Sequence, residues 1–191
     1  MNIAVWVTLS RVFLLPLAIL PVALGWREGW LILVAVTAAA GLSDFADGYL
    51  ARKMKLTSAL GANLDYLSDK IFICGMLFAL TAFEAIPGWI PPVVLARELI
   101  ISLLRLSSFR GDSLAVDKWG KIKTTMSFVA VGWLAIRESL KSDSLLKLLD
   151  WNGILSTVAS LAPVFMLAAV VLTLFSGANY IWKYIRWRIA R

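Results

Sequence analysis

The chain has 191 residues, of which 60% are hydrophobic and 16% are charged. Soluble domains average ~45–50% apolar and ~25% charged residues, so a soluble fold of this length could not bury so much apolar surface. Composition therefore predicts an integral membrane protein with one domain over residues 1–191. The sequence has no histidine and one cysteine, which excludes a Ser-His-Asp triad, a histidine-ligated metal and a disulfide framework. In a chain this apolar, the net charge of +7 favours anionic lipid or phosphate, rather than nucleic acid, as the partner.

A membrane-spanning helix needs about 20 mostly apolar residues. Stretches near that length predict an all-α, polytopic fold with six transmembrane helices. The last stretch lies within an uncharged run of 32 residues, 151–182. That run exceeds one span but is too short for two, so it predicts one long or tilted helix with an interfacial lead-in. The six stretches are 3–25, 30–50, 64–83, 89–106, 121–136 and one within 151–182.

The lysines and arginines are distributed unequally between the two sides of the predicted membrane domain. Six spans place 12 of them on the side that holds both termini and the loops after the second and fourth spans. Only 4 fall on the opposite side, namely Arg27, Arg137, Lys141 and Lys147. The positive-inside rule therefore predicts that both termini face the cytoplasm.

Four of the 12 acidic residues fall within one segment of 26 residues. Asp44 and Asp47 share a face of the second span, and Asp65 and Asp69 share a face of the third. The short link 52–61 makes these spans antiparallel neighbours, so the two pairs are predicted to face each other. Four carboxylates in a low-dielectric setting repel one another. Divalent cations would relieve that repulsion, and oxygen ligands favour Mg²⁺, Mn²⁺ or Ca²⁺, in the paired arrangement typical of phosphoryl transfer.

Small residues and one arginine accompany these acids. Gly48 and Gly61 leave room for a ligand to approach the backbone, and Arg52 offers a guanidinium group to a phosphate. A single acidic pair on a helix is usually a solvated surface feature. Two pairs on adjacent spans, beside glycine and arginine, favour a binding site instead.

The segment 44–69 reads D-x2-D-G-x2-A-R-x8-G-x3-D-x3-D. It resembles the signature of the CDP-alcohol phosphatidyltransferases at all eight fixed positions. Positions elsewhere in the chain resemble one branch of that family, the bacterial phosphatidylglycerophosphate synthases. These positions are Asn2, Ile3, Thr8, Arg11, Pro16, Arg97, Glu98, Arg105 and residues 120–124.

The resemblance implies the fold of that family, a homodimer, and an active site open to the cytoplasmic leaflet of the inner membrane. It implies that CDP-diacylglycerol binds through its pyrophosphate to two Mg²⁺ or Mn²⁺ ions, with Gly48, Arg52 and Gly61 against the CDP portion. Asp69 would be the catalytic general base, which takes the proton from the acceptor hydroxyl. The metal ligands implied are Asp44, Asp47, Asp65 and, at the second ion, Asp69.

Three basic residues are candidates for binding the phosphate of an acceptor. Arg97 and Arg105 lie about two turns apart near one face of the fourth span, and Lys121 opens the fifth span at a comparable depth. An arginine in the bilayer is costly unless it faces a polar cavity, and Glu98 is expected to pair with one of these cations or to cap locally. Such a cluster suits a phosphate dianion, so a phosphorylated acceptor fits better than free serine or inositol.

Together with the resemblance, this pattern makes glycerol 3-phosphate the leading acceptor, with phosphatidylglycerophosphate and CMP as products. Two alternatives keep the enzyme class and change the acceptor to phosphatidylglycerol, giving cardiolipin, or to an inositol phosphate. An ion transporter is a third alternative, although its acids would be spread through the membrane depth.

The remaining basic residues give weaker signals. Lys70 points elsewhere on its helix than Asp69 and is assigned no role beyond reaching the interface. Lys123 fits two roles equally well, as a member of the acceptor-phosphate site or as an anchor at the level of the lipid headgroups. The aromatic and basic residues of segment 182–188 predict an anchoring belt at the membrane surface.

Overall fold

The computed structural model describes residues 3–54, 59–107, 118–142 and 144–189, and side chains within 13–43, 70–104, 122–142, 144–186 and 188–189. The regular structure of this part of the chain is entirely helical. The helices are α1 (Ile3–Ala23), α2 (Gly29–Met54), α3 (Ala59–Ala82), α4 (Ile90–Ser107), α5 (Lys118–Lys141), α6 (Leu145–Leu148), α7 (Ile154–Ala159) and α8 (Ala162–Ile189). The all-α class predicted from the sequence is confirmed.

Within the described residues, the six long helices form a closed ring. Around the ring the order is α1, α2, α5, α8, α4 and α3, and α3 closes the ring against α1. α1 therefore lies between α2 and α3, and the prediction that the second and third spans are direct neighbours is not confirmed. A further contact between α3 and α5 crosses its interior. Two helices that are far apart in sequence, α4 and α8, are therefore neighbours in space.

Short turns reverse the chain between α1 and α2 and between α3 and α4. Gly25 follows α1 with a φ of 68°, a left-handed conformation that a residue with a side chain rarely adopts. Residues 83–89 turn the chain from α3 into α4. Two prolines, Pro91 and Pro92, lie in the first turn of α4, where their missing N–H groups leave no helical hydrogen bond unmade.

Apolar side chains fill the interior of the ring, and they also cover much of its outer surface. Phe72 of α3 is 1% exposed and stacks on Phe128 of α5, with ring centroids 5.9 Å apart. On α8, by contrast, Val164, Val171 and Phe175 are exposed. A helix that is apolar on both its inner and its outer face is typical of a bundle surrounded by lipid.

Three helices, α2, α3 and α5, are longer than the apolar stretches that predicted them. α2 has 26 residues and α5 has 24, because helical hydrogen bonding continues past the apolar segments into their charged ends. The run 151–182 contains the short helix α7 followed by the long helix α8, the form predicted for it.

The described residues contain one stretch, Ile154–Arg186, that is long and apolar enough to cross a membrane. Three shorter apolar stretches, Phe13–Ala23, Gly29–Ser43 and Lys70–Ala82, lie in α1, α2 and α3. The presence of an apolar spanning helix agrees with the membrane class. The count of six spans stays a prediction.

Candidate functional site

The residues of the signature segment lie at one end of the bundle. Asp44 and Asp47 fall in the C-terminal half of α2, and Asp65 and Asp69 fall in the N-terminal half of α3. The C-terminal end of α4, with Arg105, and the start of α5, with Lys121, complete the predicted set. At these six positions, and at Gly48, Arg52 and Gly61, the structure describes the helical backbone but no side chain.

A cluster of four charged side chains is centred on Glu98 of α4. Its member on α3, Lys70, directly follows the last residue of the signature segment. The Nζ of Lys70 lies 3.2 Å from one carboxylate oxygen of Glu98. The Nη1 of Arg97 donates to the other oxygen at 2.8 Å, and the Nζ of Lys123 donates to the same oxygen. The four side chains are only 9–16% exposed. Three helices, α3, α4 and α5, thus meet in one buried ionic network, which we call the Glu98 cluster.

Two cations of the Glu98 cluster contact the same carboxylate oxygen, since both Arg97 and Lys123 donate to Oε1 of Glu98. Buried charges are costly unless they are paired. Two buried cations on one carboxylate oxygen are suited to a further anionic partner such as a phosphate group.

A serine orients the lysine of α3 in this cluster. The Nζ of Lys70 donates to the hydroxyl of Ser102 at 2.7 Å. That hydroxyl in turn donates to the backbone carbonyl of Glu98 at 2.6 Å. Lys70 is therefore directed across to α4, rather than outward to the membrane surface.

The guanidinium group of Arg97 is also held by α8. Its Nε donates to the backbone carbonyl of Thr173 at 3.1 Å, and its Nη2 donates to the hydroxyl of Ser176 at 3.0 Å. A Cβ atom placed on Gly177 would lie 3.0 Å from both Cγ and Nε of Arg97. The absence of a side chain at Gly177 therefore lets the arginine lie flat against α8.

Sequence reasoning found part of this arrangement. The structure places Arg97 in a buried polar setting and pairs Glu98 with three cations. The interpretation of Lys70 as pointing away without a role was wrong. A local signal could have revealed the α8 contacts. Two polar residues and a glycine share one face of an apolar stretch of α8, at positions i, i+3 and i+4: Thr173, Ser176 and Gly177.

The opposite end of the bundle carries ion pairs of a different kind. Glu138 pairs with Arg137 at 3.1 Å and with Lys141 at 2.7 Å, and the side chain of Lys141 is 55% exposed. Glu28 accepts the backbone N–H of Leu145. These contacts tie the α1–α2 turn to the segment after α5, and their solvated partners indicate a structural role.

A buried cationic network in an apolar helical ring fits a membrane protein that binds anionic groups. The sequence model of the CDP-alcohol phosphatidyltransferase family matches residues 1–175. The chain therefore belongs to the CDP-alcohol phosphatidyltransferase family, and the resemblance drawn from segment 44–69 is confirmed. This family is membrane-embedded and generally depends on a divalent metal.

Named relatives share most of the chain. It is 30% identical over 188 residues to a probable phosphatidylglycerophosphate synthase of Mycobacterium tuberculosis, which covers 97% of this chain and 82% of that protein. It is 35% identical over 142 residues to the CDP-diacylglycerol–glycerol-3-phosphate 3-phosphatidyltransferase of Haemophilus influenzae, covering 71% and 76%. The Salmonella choleraesuis protein of the same name is 31% identical over 187 residues, covering 94% and 93%.

Proposed function

We propose that this chain transfers the phosphatidyl group of CDP-diacylglycerol to glycerol 3-phosphate, giving phosphatidylglycerophosphate and CMP. The observation that carries the proposal is the Glu98 cluster, in which Arg97 and Lys123 share one carboxylate oxygen. Its member on α3, Lys70, directly follows the signature segment. The names of the relatives support the same pair of substrates.

The donor set of the signature segment fits a divalent metal. Asp44, Asp47, Asp65 and Asp69 supply only carboxylate oxygens, which suit Mg²⁺ or Mn²⁺ better than softer metals. Two such ions, when bound, would neutralise the pyrophosphate of the lipid donor and the charge of the departing CMP. We assign the first three aspartates to metal binding, and Gly48, Arg52 and Gly61 to contact with the CDP portion.

The reaction exchanges one phosphorus–oxygen bond for another. The acceptor hydroxyl attacks the phosphorus that carries diacylglycerol, its proton passes to Asp69, and the bond to CMP breaks. Positioning and electrostatics supply most of the rate in such transfers. We therefore assign Asp69 to proton removal, and Arg97, with Arg105 and Lys121, to holding the acceptor phosphate.

The Glu98 cluster adds one group, Lys123, to that acceptor site and shows which donors of Arg97 are already used. Lys123 has one described partner, the carboxylate of Glu98, so its ammonium group has donors left for a ligand. Arg97 uses three of its five N–H donors on Thr173, Glu98 and Ser176. The remaining donors suit the oxygens of one phosphate group, which supports a phosphorylated acceptor over a neutral alcohol.

We further propose six membrane spans with both termini in the cytoplasm, and assembly as a homodimer in the inner membrane. The 12-to-4 distribution of basic residues supports this orientation. The exposed apolar faces of the ring support contact with lipid and with a second copy.

An acceptor panel tests the proposed reaction. Purified protein with labelled CDP-diacylglycerol is expected to release CMP with glycerol 3-phosphate, and much more slowly with phosphatidylglycerol, inositol phosphate, inositol or serine. Inositol and serine carry no phosphate, so they would not supply the anionic group that the cluster is proposed to bind. Parallel assays with Mg²⁺, with Mn²⁺ and with a chelator are expected to give activity only when a metal is present. Equal rates with free inositol, or ion flux without CMP release, would contradict the assignment.

Substitution of Arg97 tests the acceptor site. Arg97→Gln is expected to lower kcat/KM for glycerol 3-phosphate by roughly 10²-fold, because a charge-assisted contact to phosphate contributes about 1.5–3 kcal/mol. The KM for CDP-diacylglycerol is expected to stay within about twofold. Arg137→Gln is the matched control, since Arg137 pairs with Glu138 at the other end of the bundle. An unchanged KM for glycerol 3-phosphate in Arg97→Gln would remove this residue from the site.

A further inference from the structure

The last helix of the bundle contributes to the site although nothing in the signature points to it. Three residues of α8, Thr173, Ser176 and Gly177, lie on one face at i, i+3 and i+4, and all three are buried. This face meets the side chain of Arg97 across a sequence distance of 76–80 residues. We call it the α8 face.

The α8 face fixes the arginine at two atoms and by shape. The carbonyl of Thr173 accepts from Nε at 3.1 Å, and the hydroxyl of Ser176 accepts from Nη2 at 3.0 Å. With Nη1 on Glu98 at 2.8 Å, all three guanidinium nitrogens have a protein partner. A planar guanidinium held at three points has little freedom to rotate, so its remaining donors are aimed in fixed directions.

Gly177 determines how close the arginine lies to α8. A Cβ atom there would be 3.0 Å from Cγ and Nε of Arg97, so the arginine side chain would have to move by a few tenths of an ångström. Hydrogen bonds to Thr173 and Ser176 would lengthen as it moved. Gly132 on α5 gives a contrast, because a Cβ atom there meets only Cγ2 of Thr37, at 3.9 Å.

We propose that the α8 face is a positioning element that sets the affinity of the enzyme for the phosphate of its acceptor by fixing the guanidinium of Arg97. Ser176 and Gly177 are the positioning residues of this element. Both lie just beyond residues 1–175, the part of the chain that matches the family. The proposal rests on the proposed role of Arg97 as a ligand of the acceptor phosphate.

The test compares variants of the α8 face with a matched glycine. Gly177→Ala and Ser176→Ala are expected to raise the KM for glycerol 3-phosphate about three- to tenfold, because sub-ångström misplacement of a binding group weakens its contact. Inhibition by inorganic phosphate should weaken in parallel. The KM for CDP-diacylglycerol and the thermal midpoint in detergent should stay at the wild-type value. Ser176→Thr, which keeps the hydroxyl, and Gly132→Ala should behave like the wild type.

A second set of measurements asks whether the effect passes through Arg97. In an Arg97→Gln background, Gly177→Ala should produce no further rise in the KM for glycerol 3-phosphate. A wild-type KM in Gly177→Ala, together with a raised KM in Arg97→Gln, would overturn the role of α8 and leave the proposed reaction standing. Equal changes in the KM of both substrates, with a lowered thermal midpoint, would also overturn it, since that pattern indicates a purely structural role. A wild-type KM in Arg97→Gln would instead contradict the acceptor site itself.

Discussion

Replacing Asp69 with asparagine is expected to lower kcat at least ~10²-fold while CDP-diacylglycerol still binds. An amide has nearly the shape of the carboxylate but cannot take a proton from the acceptor hydroxyl. The residue lies on α3 directly before Lys70, whose side chain reaches the Glu98 cluster. The residue proposed as the general base is therefore one position along α3 from a member of the Glu98 cluster.

The measurement is the rate of CMP release at saturating glycerol 3-phosphate, combined with a direct binding assay for the lipid donor. Asp150→Asn is the matched control, because Asp150 accepts the N–H groups of Leu155 and Ser156 at the start of α7, away from the site. That variant should keep wild-type turnover. If Asp69→Asn also turned over within about twofold of wild type, another group would have to be the base.

Replacing Glu98 with glutamine is expected to destabilise the protein more than any other single change in the bundle. Lys70, Arg97 and Lys123 would lose the one carboxylate they share. Removing one partner of a buried ion pair typically costs about 3–5 kcal/mol. For a chain of this length, that corresponds to a fall of roughly 6–20 °C in the thermal midpoint.

Thermal unfolding in detergent, followed by tryptophan fluorescence, measures that change. Glu138→Gln is the control, since its two cations, Arg137 and Lys141, are 31% and 55% exposed. Water can solvate them when the carboxylate is lost, so the fall in the thermal midpoint should be smaller. Combining Glu98→Gln with Lys123→Gln should recover part of the loss, because one uncompensated charge is removed. A midpoint within about 2 °C of wild type in Glu98→Gln alone would show that the cluster does not depend on its carboxylate.

The helices could be predicted from the sequence because their signal is local. Apolar stretches, the turn at Gly25 and the prolines at the start of α4 act over a few residues, and the structure places helices at the corresponding positions. The ends were less well predicted, as in α5, because hydropathy falls at Lys118 and Lys121 whereas the backbone hydrogen bonds continue. Hydropathy measures contact with lipid, and helix length depends also on water and headgroups.

The candidate site also has a part that local sequence indicates and a part that depends on which helices become neighbours. The four aspartates could be proposed because their spacing forms a motif along one short segment, and their role stays a prediction because their side chains lie outside the described ones. Lys70 and Ser176 could not, because their roles depend on which helices become neighbours, and the ring order is not encoded in local periodicity. Arg97 was intermediate: the cost of burying its charge predicted a polar setting, but not that α8 would supply two of its three partners.

The ring order also bears on how the enzyme is made. α8 follows α4 and α5 in the chain, yet it is the neighbour through which both complete the ring. Until α8 is synthesised and inserted, Arg97 lacks the carbonyl of Thr173 and the hydroxyl of Ser176 that accept its N–H groups. The proposed acceptor site is therefore complete only after this segment has joined the bundle.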